Sequence, residues 1–176
     1  MLALSFVLAI VGVTGGTAGA APEGAGFQPD LKVSANGTTF VGDETFNTGG
    51  RGQAVSRSAV RGTTANFHVG LQIEMPVTLE DVSDITLTGC AGDSSFNVKY
   101  YLLTADITSQ VVGGGFVINP FISGADAILA EPSSMPFRVA VKVKRAAPVG
   151  ATFTCRVRAT TESGSTDTVK ITVRRS

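Results

Sequence analysis

The stretch Phe137-Arg138-Val139-Ala140-Val141-Lys142-Val143 decides how this chain is read, because apolar and polar residues alternate along it almost without a break. The pattern returns twice downstream. Phe153, Cys155, Val157 and Ala159 alternate with Thr154, Arg156 and Arg158, and Val169, Ile171 and Val173 alternate with Lys170 and Thr172. Successive side chains on a strand point to opposite faces, so this period of two, rich in β-branched residues, marks half-buried antiparallel strands. Three such strands in succession predict an all-β chain whose sheets each bury one face.

Upstream, the same reading gives a first strand over 28–34, with Leu31 and Val33 in phase, and a weak edge strand over 53–60. The clearest strand of the N-terminal half sets Ala65, Phe67, Val69, Leu71 and Ile73 on one face. Shorter strands are expected around Ile85 and Leu87, around Phe96, Val98 and Tyr100, and over 116–118. Asn36-Gly37, Gly49-Gly50 and Arg61-Gly62 supply turns between them. Residues 104–108 read as a turn or a single helical turn capped by Asp106. No longer helical period follows residue 20. Several short strands punctuated by turn signals predict an antiparallel β-sandwich.

The chain has 176 residues, with 14 basic and 14 acidic side chains, so its net charge gives no argument for nucleic acid or an anionic membrane. Residues 1–20 differ from the rest: 2–13 are almost wholly apolar, and Ala18-Gly19-Ala20 is small enough for signal peptidase. These features predict a secretory signal peptide over 1–20, although no Lys or Arg precedes the apolar run. An uncleaved anchor or a buried strand is the rival, and the glycines at 12, 15, 16 and 19 disfavour a stable anchor helix. Residues 21–26 then form a linker, and 27–176 one domain, long enough to bury a core of its own. No membrane span is expected once the signal is removed.

Two cysteines, Cys90 and Cys155, form an even pair in a chain expected to be exported, where disulfides persist. Two separate buried thiols are the alternative, since Cys155 lies on the inward phase of its strand.

The patterning resembles an immunoglobulin-like module found in bacterial exported and cell-surface proteins. Pro29-Asp30, the run from Arg61 to Val69, Phe96 to Tyr100 and Ala105 to Thr108 carry the likeness in the first two thirds. Val139 to Val143, Ala147 to Ala151, Val157 to Thr160 and Asp167 to Lys170 carry it at the end. The resemblance covers 27–175 and implies an immunoglobulin-like β-sandwich serving as a spacer or adhesive unit. It departs at 72–84 and 119–135, which are more apolar than the turns expected there. In such a sandwich the strands holding Cys90 and Cys155 lie side by side or near each other, so a bridge is within reach.

Candidates for chemistry are few. The one histidine, His68, falls on an outward strand phase with no orienting partner visible. Two cysteines cannot complete a zinc site. Glu80, Asp81 and Asp84 could offer oxygen ligands to calcium, as could Asp43-Glu44, but neither run has the spacing of a dedicated loop. Tyr100 and Tyr101 are the only tyrosines and Trp is absent, so an aromatic platform for glycans has at most one member per face. From Phe137 onward nine basic residues stand against two acidic ones, and on adjacent strands they could form a stripe. That stripe reads either as edge protection or as attraction to an acidic partner.

The sequence therefore predicts a non-enzymatic structural or adhesive module, secreted or at the cell surface, with other extracellular or surface proteins as partners and no cofactor. The alternatives are a glycan- or calcium-binding module, or a filament subunit that adds a strand to its neighbour.

Overall fold

The computed structural model describes residues 28–74, 84–118 and 135–176. In chain order the strands are β1 (Gln28–Ser34), β2 (Ala54–Ala59), β3 (Thr64–Glu74), β4 (Ile85–Thr88), β5 (Phe96–Leu102), β6 (Ala105–Asp106), β7 (Phe116–Ile118), β8 (Met135–Val143), β9 (Thr152–Thr161) and β10 (Thr166–Arg175). A short helix, α1 (Thr108–Gly113), stands between β6 and β7. The first sheet has the order β1-β3-β8-β5-β6 and the second β2-β10-β9-β4-β7. The chain is thus an all-β sandwich of two five-stranded sheets. Among the described residues every strand pairing is antiparallel except β2 with β10, which run parallel from Ala54↔Lys170 to Ala59↔Arg175.

The period-two pattern explains which face each strand buries. Phe67, Val69 and Leu71 of β3, with Val139, Val141 and Val143 of β8, line the inner face of the first sheet. Phe153, Val157 and Ala159 of β9, with Val169, Ile171 and Val173 of β10, line the opposing face. Phe96 and Phe153 meet across the core with ring centroids 5.5 Å apart. Each fully buried Val, Leu, Ile or Phe contributes roughly 1.5–3 kcal/mol by leaving water, so these two rows supply most of the cohesion.

Beyond β1 the chain turns back far enough for Val41 to form an isolated antiparallel bridge with Val33. The segment 104–108 becomes β6 followed by α1, and the Asp106 carboxylate accepts from the Thr108 N–H at 3.1 Å. The helix stops at Gly113, followed by Gly114 at φ 152°.

The basic residues of the last forty positions do not make one stripe. Strand β8 belongs to the first sheet, while β9 and β10 belong to the second, so their outward phases point in opposite directions. Arg138 and Lys142 lie on one outer face, and Arg156, Arg158, Lys170 and Arg174 on the other. The segment 144–151 crosses between sheets and reverses what "outward" means.

Candidate functional site

Three polar assemblies hold the sandwich together, and each places a reactive type of group where it fastens backbone. The first surrounds the cysteines. Cys90 follows β4, Cys155 lies in β9, and the two are disulfide-bonded with Cα atoms 5.6 Å apart. Strands β4 and β9 are neighbours, so the bridge ties two strands of one sheet. From the other sheet, Tyr100 sends its hydroxyl through the core: it accepts from the Cys90 N–H at 2.8 Å and donates to the Cys90 carbonyl at 3.0 Å. Burial pushes the Tyr100 phenol up to about 12, partly opposed by its bond to Cys90. A Cβ at residue 89 would collide with the Tyr100 hydroxyl, so Gly89 leaves the room in which the phenol reaches the Cys90 backbone.

The second assembly closes the corner between the sheets. Asp167 lies on the inward phase of β10 and is fully buried. Its Oδ2 accepts from the Leu31 N–H and the Gln53 amide, each at 2.7 Å, and its Oδ1 accepts from the Asn47 N–H at 3.0 Å. Burial raises the Asp167 pKa, and the surrounding N–H donors, with that of Thr168, pull it back. Gln53 completes the exchange by donating to the Leu31 carbonyl at 2.8 Å. It packs so close to Gly42, at φ 101°, that a Cβ there would lie 2.6 Å from its Cγ.

The third assembly is the treatment of sheet edges, where unpaired N–H and C=O groups invite association. On β1 the outward groups of Leu31 are taken by Asp167 and Gln53, and those of Val33 by Val41. Beyond the end of β1, the Arg57 guanidinium donates to the Ala35 and Asn66 carbonyls at 3.2 and 3.1 Å. On β5, Asp93 takes both groups of Phe96, while Thr108 and Ile107 take those of Tyr100. A groove of about 640 Å³ follows that edge, bordered by Val98, Asn97 and the Lys99–Asp106 ion pair at 2.8 Å. That pair holds the Asp106 carboxyl near 2 and raises Lys99.

The residues proposed from sequence are scattered. His68 is exposed on β3, beside Gly37. Asp43 pairs with Lys32 at 3.0 Å. Asp84 is half-buried, while Glu80, Asp81, the leader 1–20 and the linker 21–26 lie outside the described residues. Among the described residues no three His, Cys, Asp or Glu side chains gather as a metal site would require. Tyr101 is half-buried, and the Arg138 guanidinium lies 4.2 Å over one face of its ring. Sequence reasoning missed Asp167 and Gln53; the one signal for Asp167 was a carboxylate at an inward strand position.

No family model matches the chain, and no curated protein matches it in sequence. Solved structures do. The major pilin subunit BcpA of Bacillus cereus is 12% identical with a TM-score of 0.40, over 85% of this chain and 40% of the pilin. A family 123 glycoside hydrolase from Clostridium perfringens is 9% identical with a TM-score of 0.44, over 84% of this chain and 27% of the hydrolase. The N-terminal domain of PorA is 10% identical with a TM-score of 0.41, over 84% of this chain and 97% of that domain. The chain therefore spans well under half of the pilin and the hydrolase. Similarity at this level assigns neither activity nor partner.

Proposed function

We propose that the chain is an exported structural or adhesive module that acts at or outside the cell surface through protein contacts. The observation that carries this reading is where its polar chemistry is spent. Asp167, Gln53, Tyr100 and the disulfide all fasten strands or sheets, making a rigid body suited to an oxidising compartment. The strand order supports an immunoglobulin-like assignment, because β1-β3-β8-β5 and β10-β9-β4 follow the A-B-E-D and G-F-C orders of that fold. The disulfide departs from it by joining neighbours in one sheet rather than the two sheets. In this reading residues 1–20 are removed on export and 21–26 lead into the domain.

The test is to express the full chain with a C-terminal tag and treat intact cells with external protease. Loss of the tag, together with a mature mass lacking residues 1–20, is the expected result. A protected, full-length chain with alkylatable cysteines would overturn the export reading. Calorimetry with calcium and a glycan array address the alternatives, and both are expected to be silent.

A further inference from the structure

We infer that β2 is a docking edge for β2 of a second copy of this chain, joining the two second sheets into one continuous ten-stranded sheet. The strand edges of the sandwich are not treated alike. The outward groups of Leu31 and Val33 on β1, the Asn66 carbonyl of β3, and the outward groups of Phe96 and Tyr100 on β5 are taken by side chains or loops. Strand β2 is treated differently. The Lys170 N–H donates to the Gln53 carbonyl and the Ser176 N–H to the Ala59 carbonyl, which fixes the odd-numbered residues as those that face β10. The N–H and C=O groups of Ala54, Ser56 and Ser58 therefore point away from the sheet. Among the described residues, nothing accepts from or donates to them, and all three residues are exposed. Strand β2 is also free of the usual deterrents. It has no proline or lysine, and its one cation, Arg57, is folded back onto the first sheet.

A second copy of the same edge is the occupant that fits. In an antiparallel pair centred on Ser56, Ser56 faces its own counterpart and Ala54 faces Ser58, giving six backbone hydrogen bonds from three bonded pairs. The facing side chains are small, and Arg57 falls opposite Val55. Sliding the register toward the C-terminus by one bonded pair would set Arg57 against Arg57 and lose hydrogen bonds, so both charge and bond count select the Ser56-centred register. The arrangement is a two-fold, self-complementary contact of the kind that closes as a dimer. Pairing depends on the edge alone and not on where the chain resides, so its failure and the failure of the export reading are separable.

The test uses the full chain, expressed where the Cys90–Cys155 bond forms, so that one added cysteine is the only free thiol. In Ser56→Cys the new thiols lie on directly opposed residues about 5.5 Å apart at Cα, within disulfide reach. In Ser58→Cys they lie four residues apart along the strands, about 13 Å, and out of reach. Mild oxidation is expected to give at least tenfold more covalent dimer from Ser56→Cys than from Ser58→Cys. Ser56→Pro removes one outward N–H without touching the β10 ladder, and is expected to abolish the non-covalent dimer in sedimentation while keeping the β-sheet circular dichroism. Equal cross-linking at 56 and 58 means random collision and overturns the inference, as does a wild-type chain that stays monomeric at millimolar concentration. A Ser56→Cys monomer that binds an unrelated strand instead would also overturn it.

Discussion

At the scale of single residues, Tyr100 and Asp167 show how this sandwich uses its buried polar groups. The Tyr100 phenol is neutral in the fold and titrates near 12, against an ordinary value of 10.0. A raised folded-state pKa means that the stabilisation is complete below pH 10 and is lost as pH rises toward 12. The loss is about 2–3 kcal/mol, readable as a falling urea midpoint between pH 9.5 and 12. Tyr100→Phe is expected to flatten that alkaline limb and to lower stability at pH 7 by about 1–3 kcal/mol, because the Cys90 carbonyl loses its donor and the Cys90 N–H keeps only the Cys155 Sγ at 3.3 Å. An alkaline limb unchanged in the variant would refute the assignment. Neighbouring Tyr100 and Tyr101 illustrate what the sequence could deliver: adjacency dictated that they face opposite ways. The alternation of Phe96, Val98 and Tyr100 put Tyr100 on the apolar phase, and the structure buries it there opposite Val139 of β8. Asp167, by contrast, was illegible. Its partner Leu31 lies 136 residues away, and local patterning carries no trace of a carboxylate that seals a distant edge.

At the scale of elements, β1 and β4 depend on different fasteners. Strand β1 is flanked on one side by β3 and on the other by side chains. Asp167→Ala is expected to cost at least about 3 kcal/mol, since hydrogen bonds to charged groups are worth about 1.5–3 kcal/mol each. The loss should concentrate on β1, with the Leu31 amide losing hydrogen-exchange protection before the amides of β8. Uniform loss across both sheets would show that Asp167 supports the core rather than that edge. Strand β4, only four residues long, is bound to β9 by the disulfide just beyond its end. The bridge spans 65 residues, and in the chain-entropy model closing such a loop is worth about 4 kcal/mol. Reduction is therefore expected to lower the melting temperature by roughly 8–16 degrees; a shift of a degree or two would mean that the reduced state keeps the loop closed by other contacts. The strands themselves were largely readable, because alternation over 137–143 and 153–159 is a local property. The pairing partners were not. The weak alternation of small residues over 54–59 did identify an edge strand, yet nothing in it revealed that β2 would run parallel to β10.

At the scale of the whole molecule, charge distribution controls how two copies would approach. The balanced total conceals an outer face of the second sheet that carries Arg156, Arg158, Lys170 and Arg174 among threonines. Lys170 even lies directly opposite Arg156, a like-charge pair that leaves this face self-repelling. In a sheet continued through β2, the two copies of β10 would be three strand spacings apart, about 14 Å. That separation lies inside the Debye length of about 30 Å at 0.01 M salt and outside that of about 8 Å at 0.15 M. Repulsion between the cationic faces should therefore oppose association at low salt and fade at physiological ionic strength, while the backbone hydrogen bonds at the Ser56 two-fold are little affected. The dimer dissociation constant is expected to fall several-fold between 10 and 150 mM sodium chloride and then level off. Lys170→Gln, which removes the charge nearest Ala54, should shift the low-salt limb toward the high-salt value and leave the plateau unchanged. Sedimentation velocity across a salt series measures both. A dimer that weakens steadily with added salt would instead require contacts between opposite charges, and the β2 edge supplies none.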